Sequence, residues 1–180
     1  LPAETGKIVD VGDAKLIPGL IDLHIHGSAG KNVVTDDIED LYAMAGFLAE
    51  GGVTAFQPTS GAAPVPMLEK TIELVKEITR GPVRGARSIG MHMEGPFLNP
   101  ERKGAMPEEL LLEPDLDLLK RWIDLGDGTI NHMTVAPELP AALEVISYLE
   151  SHGVTASAGH TFATYAQMME GFRAGITVSN

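Results

Sequence analysis

The sequence predicts an α/β fold: an incomplete (β/α)8 barrel of the TIM type, with the remnant of a small β-sandwich domain at its N-terminus. Three observations predict it. Apolar, β-branched runs alternate with amphipathic stretches from residue 20 onward, and a repeated strand–helix order gives right-handed βαβ units and a parallel sheet. Several of the amphipathic stretches stop at a glycine just before the next apolar run, as helices do. Metal-type side chains gather at the C-terminal ends of the first, third and fifth strands, the end where barrels place their sites.

Taken in order, residues 7–11 and 14–17 read as two short strands around the turn Gly12-Asp13, followed by the joint Pro18-Gly19. Residues 1–18 are therefore the edge of the small β domain. Strands follow at 20–26, 53–58, 88–94, 132–136, 154–159 and 176–178. Helices lie between them at 38–50, behind the capping pair Asp36-Asp37, and at 66–79, 116–125, 140–152 and 164–174. A full barrel takes about 250 residues. The 180 residues here hold five to six units, so 19–180 reads as the first part of a barrel.

The composition is 44% hydrophobic, enough for a real core, and the net charge is −12, from 13 basic and 25 acidic residues. That charge argues against a nucleic-acid surface, which needs clustered Lys and Arg. A phosphorylated ligand would need a local positive site. No apolar run approaches the roughly 20 residues of a membrane span. The absence of cysteine excludes disulfides, thiolate metal sites and thiol nucleophiles, and fits a reducing cytoplasm. The chain opens on Leu1 rather than Met, which leaves an upstream targeting segment open.

Asp22-Leu23-His24-Ile25-His26-Gly27 carries the first chemical signal. Residues two apart on a strand share a face, so His24 and His26 project together, while Leu23 and Ile25 face the helices. Two adjacent imidazoles make half of a zinc site, although a polar strand end reads the same way. Glu94 closes the apolar run Gly90-Met91-His92-Met93-Glu94 before Gly95-Pro96. A carboxylate at such a place is costly to bury without a cation or hydrogen bonds; capping the following loop is the simpler alternative. His92 shares its parity and reads as a packed histidine or a support to the site. His160, in Ala158-Gly159-His160-Thr161, ends the fifth strand, with Thr161 and Thr164 as helix caps. His132 opens a strand at the wrong end for the site, and His152 closes a helix. The loop 96–107 follows Glu94, and its Arg102 and Lys103 are either ligand contacts or a solvated charge pair. The small pair Gly104-Ala105 lets a ligand come close to the backbone.

Assembled, these residues resemble a known family. Pro18-Gly19-Leu20-Ile21-Asp22-Leu23-His24-Ile25-His26-Gly27 is similar to the first-strand motif of the metal-dependent amidohydrolases. Residues 52–59, His92-Met93-Glu94-Gly95-Pro96-Phe97, Lys103-Gly104-Ala105, Val135-Ala136-Pro137-Glu138 and Ala158-Gly159-His160-Thr161 resemble the N-acetylglucosamine-6-phosphate deacetylases. The resemblance spans nearly the whole chain. It implies that Glu94 and His160 are metal ligands, that His24 and His26 complete a second metal position, and that Ala105 touches the sugar. Many members carry a histidine where Met106 stands, which puts a sugar contact at 106 in doubt.

The implied reaction is metal-assisted hydrolysis of the acetamide of N-acetyl-D-glucosamine 6-phosphate to glucosamine 6-phosphate and acetate. The implied cofactor is one or two divalent ions, with zinc as the default for His and carboxylate ligands and iron, manganese and cobalt compatible with them. The implied partner is a small phosphorylated amino sugar, with no nucleic acid or membrane, and the full-length protein is expected as a cytoplasmic homodimer. The resemblance also places a further histidine ligand, a catalytic aspartate and the phosphate-binding residues beyond Asn180. The 180 residues alone are thus expected to be inactive. Two rivals are another amidohydrolase, such as a cyclic-amide hydrolase or a deaminase, and a metal-free barrel fragment without catalysis.

Overall fold

A computed structural model describes residues 10–180. Six principal strands run parallel in one curled sheet, in the spatial order β1 (Leu20–Ile25), β4 (Val53–Ser60), β6 (Met91–Glu94), β7 (Ile130–Val135), β8 (Thr155–Ala158) and β9 (Ile176–Ser179). Spatial order follows chain order, the arrangement of a barrel wall. A two-residue hairpin, β2 (Gly27–Ser28) with β3 (Lys31–Asn32), follows β1, and β5 (Arg87–Ser88) adds to β4. Among the described residues five α-helices return the chain: α1 (Ile38–Glu50), α2 (Val65–Arg80), α3 (Leu116–Gly126), α4 (Ala142–Ser151) and α5 (Tyr165–Ala174).

Two helix starts follow their sequence signals, at Asp37 and Thr164; Thr161 instead donates to Glu138, and Asp115 is a cap that the sequence reading does not name. Asp37 caps α1 through the Glu39 amide, and the Asp115 side chain accepts the Asp117 and Leu118 amides ahead of α3. Thr164 and Gln167 form a reciprocal capping box on α5.

Period-2 alternation decides which side chains enter the core. Met91, Met93, Met133 and Val135 point outward and are buried beneath Leu68, Ile72, Leu119, Trp122, Val145 and Ile146 of the helices. The alternate residues His92, Glu94, Thr134 and Ser157 line the concave face. There they are also buried, and hydrogen bonds link His92 Nε2, Thr134 Oγ1 and Ser157 Oγ, each step 2.7 Å.

Four expectations need correction. Residues 14–17 form no strand: Leu16 and Ile17 are 82% and 74% exposed, because no described segment offers them a hydrogen-bonding partner. The 7–11 strand falls mainly on residues outside the described ones. The 88–94 strand is two pieces, broken at Gly90, whose φ of 120° lets the Asn131 side chain approach where a Cβ would sit. Leu23 is 57% exposed rather than packed under helices: the register of β1 is irregular between Asp22 and Ile25, and Leu23 borders the concave side of the sheet with Gln57 and His132. His132 does not open its strand. It is the third residue of β7 and faces inward, stacked on His92 with ring centroids 3.7 Å apart.

Candidate metal centre

Three strand ends meet at one mouth of the curled sheet. His24 lies near the end of β1 and His26 follows it; their Nε2 atoms are 3.1 Å apart. Glu94 ends β6 and is 4% exposed. Its Oε2 is 2.9 Å from His26 Nε2, and its Oε1 is 3.5 Å from His24 Nε2 and 3.2 Å from His160 Nε2. Among the described residues, His24, His26 and Glu94 place ligand-type atoms within 4.8 Å of one another. The structure therefore brings together all four residues singled out on strands one, three and five.

The tautomers carry the chemistry. His26 Nδ1 faces the Thr59 carbonyl at 3.0 Å, and His160 Nδ1 faces the Arg102 carbonyl at 2.8 Å. A carbonyl only accepts, so each Nδ1 donates, and in the neutral ring each Nε2 is left with its lone pair. Both lone pairs point at the Glu94 carboxylate, which itself has only lone pairs to offer. That convergence repels unless a proton or a cation stands between the groups. Backbone carbonyls on Nδ1 that turn Nε2 toward a common point are the arrangement metal-binding imidazoles use. The donor set of three Nε2 atoms and a carboxylate thus fits a divalent cation of the zinc type.

Without a cation, protons fill the role. Burial pushes the Glu94 carboxyl up, but the His26 hydrogen bond and the charges of His24, His26 and His160 outweigh it and hold it near 2. The bond to Glu94 in turn raises His26, against its own burial. His92 is held neutral, at about 3, by burial and by the neighbouring imidazoles. It supports the site from behind, its ring edge-on to His24 at 4.9 Å.

A cavity of about 700 Å³ opens over Glu94. Its polar side is His24, His26, Glu94, His160 and Asn32, and its apolar side is Val34, Ala62, Ala105 and Met106. Ala105 therefore lies in the mouth. Gly104, at φ 57°, packs against the His160 ring, where a Cβ would come within 3.2 Å of Cε1. Arg102 and Lys103 do not line the cavity: Arg102 sits over the Phe162 ring, 3.6 Å from its centroid, and Lys103 reaches the Met106 carbonyl. Met106 instead holds the loop against the end of β4 by accepting the Ala62 amide on Sδ.

Three contributors escaped the sequence reading. Asn180 donates to Glu94 Oε1 at 2.9 Å, Thr59 orients His26 through its carbonyl, and Glu138 gathers the loops beside His160. Strand-end position was an available signal for Thr59 and Asn180. Glu138 stands in the motif Val135-Ala136-Pro137-Glu138 that resembles the deacetylases, but no role attaches to it from the sequence.

No protein-family profile matches the chain. The N-acetylglucosamine-6-phosphate deacetylase of Vibrio furnissii is 35% identical over 167 residues, 93% of this chain and 42% of that protein. The N-acetylgalactosamine-6-phosphate deacetylase of Escherichia coli O157:H7 is 34% identical over 164 residues, 91% of this chain and 44% of that protein. A solved N-acetyl-D-glucosamine-6-phosphate deacetylase from Mycobacterium smegmatis, an aspartate-to-alanine mutant in complex with N-acetyl-D-glucosamine-6-phosphate, superposes with a TM-score of 0.85 at 32% identity. The superposition covers 91% of this chain and 42% of that one. The chain thus spans less than half the length of the curated relatives it matches.

Proposed function

We propose that this chain is the front part of the catalytic barrel of a metal-dependent N-acetylglucosamine-6-phosphate deacetylase. The observation that carries the proposal is the pair of Nδ1–H donations, His26 to Thr59 and His160 to Arg102, which aim two Nε2 lone pairs at Glu94. The 35% identity to the Vibrio furnissii deacetylase supports the reaction, and the sugar phosphate bound to the Mycobacterium smegmatis protein supports the substrate class.

In this reading Glu94, His160, His24 and His26 hold one or two divalent ions, zinc by default. Such an ion supplies Lewis acidity toward the acetamide carbonyl and makes water more acidic. The chain's own residues do the rest. Glu94 offsets the positive charge in a buried place, and Thr59 and Arg102 fix the ring orientations so that little reorganisation is needed. Ala105, Val34, Ala62 and Met106 present a small apolar wall beside the polar cluster, suited to an acetyl methyl and a sugar face. Among the described residues that line the cavity Glu94 is the sole carboxylate, so none is left to act as proton acceptor. The reading extends to cytoplasmic work and a homodimeric full-length protein. No described helix is long and apolar enough to cross a membrane.

A second sugar is favoured by one observation: the Escherichia coli relative acts on the galactosamine epimer at nearly the same identity. Acetate release from both 6-phosphates, measured on the complete reading frame with and without a chelator, tests the proposal. Release from the glucosamine substrate that is lost on chelation and in His160→Ala supports it. No release from either sugar, or release indifferent to both treatments, overturns it.

A further inference from the structure

We propose that Glu138 is a positioning residue, whose carboxylate ties together the loops after β6, β7 and β8 and so fixes His160 toward Glu94. The inference rests on the reading of His160 as a ligand. His160 has φ 49°, a left-handed backbone that a non-glycine residue keeps only when its surroundings impose it. Two contacts from the loop 96–107 do so directly. The Asn99 amide donates to the His160 carbonyl at 3.0 Å, and His160 Nδ1 donates to the Arg102 carbonyl at 2.8 Å.

Both contacts trace back to Glu138. The Asn99 side chain donates to Glu138 Oε1 at 2.8 Å, while its own Oδ1 accepts the Glu101 amide and so shapes the 3-10 turn Pro100–Arg102 that presents the Arg102 carbonyl. On the other side of His160, the Phe162 amide donates to Glu138 Oε1 at 2.6 Å and the Thr161 hydroxyl donates to Oε2. One carboxylate therefore grips the residues that flank His160 and the loop that holds its ring. Glu138 does not line the cavity over Glu94, so it acts through His160 and not on a ligand. A shorter side chain would leave the Asn99 and Phe162 donors without their shared acceptor, a glutamine would take the acceptor from the Thr161 hydroxyl and weaken the charge-assisted bonds, and the turn could then relax from its left-handed state.

The test measures Zn²⁺ affinity, by competition with a chromophoric chelator, in the complete reading frame and in Glu138→Ala, Glu138→Gln, His160→Ala and the Glu138→Ala/His160→Ala pair. Glu138→Ala should weaken binding about 10–100-fold, the usual effect of losing a partner behind a ligand. Glu138→Gln, which keeps one accepting oxygen, should fall between. The double variant should bind no more weakly than His160→Ala alone. Independent, additive losses would overturn the proposal, as would an unchanged affinity. Amide hydrogen exchange at Phe162, measured with the cation removed, should accelerate in Glu138→Ala and to a smaller extent in Glu138→Gln. Unchanged exchange also overturns the proposal. Absence of binding of Zn²⁺, Fe²⁺, Mn²⁺ and Co²⁺ alike by the unmodified protein overturns the deacetylase reading instead, and the exchange result still decides the role of Glu138.

Discussion

His26 Nε2 lies 2.9 Å from Glu94 Oε2, across the gap between β1 and β6. The other nitrogen of the same ring is committed to the Thr59 carbonyl, so the short approach needs a proton or a cation at Nε2. Glu94→Gln removes the only anion among the described residues lining the cavity. It should weaken Zn²⁺ binding by more than about 100-fold, beyond the 10–100-fold typical of a partner behind a ligand. Isothermal titration checks this, and a loss smaller than tenfold would remove Glu94 from the ligand set.

Ala105 lines the mouth beside His160, on a loop pinned by Met106 and Gly104. Filling that space with Ala105→Trp should raise KM for N-acetylglucosamine 6-phosphate by tenfold or more, about 1.4 kcal/mol of binding, in the complete reading frame. Steady-state kinetics read it out. An unchanged KM would take this loop out of the sugar site.

Glu138 gives a pH signature. Burial pushes its carboxyl up, but the Thr161 hydroxyl and the Phe162 and Asn99 amides win and hold it below its ordinary 4.5. A depressed carboxyl contributes stability that is complete above the unfolded value and is lost as pH falls through the folded one. Glu138→Gln should therefore be less stable than the parent at pH 7, and the gap should narrow below pH 4.5. Urea unfolding at pH 7 and pH 3, with chelator present, tests this; an undiminished gap at pH 3 would contradict it.

Trp122 is fully buried under the sheet and stacks on Phe97, with centroids 5.8 Å apart. Trp122→Ala should cost about 3–5 kcal/mol, the range for an aromatic truncated in a core. The indole Nε1 is buried without a partner among the described residues, so Trp122→Phe loses volume but also removes an unsatisfied donor. It should cost clearly less than the alanine change. Equal losses in urea titrations would mean that the indole nitrogen is satisfied.

Much was legible in the sequence because it is written locally. The alternation of strand and helix, the caps at Asp37 and Thr164, and the period-2 facing of His24 with His26 and of His92 with Glu94 all arise within a few residues. So does the placing of ligand-type side chains at strand ends. What failed was what depends on a neighbour. Residues 14–17 have the composition of a strand, but a strand exists only where another chain segment takes its hydrogen bonds. Leu23 has an outward-facing parity, yet an irregular register between Asp22 and Ile25 sets it against the concave side. His132 is inside β7 rather than at its start, because Ile130 and Asn131 belong to the same strand, and its ring stacks on His92.

The sequence by itself determined that four ligand-type side chains end three parallel strands, since that follows from spacing and from the fixed hand of the βαβ unit. Only the tertiary structure decided which nitrogen of each ring is free. That choice depends on the carbonyls of Thr59 and Arg102, 33 and 58 residues away from the rings they orient, and on the carboxylate of Glu138. The physical reason is that a tautomer is set by what the other nitrogen touches, and contacts across loops leave no period in the chain.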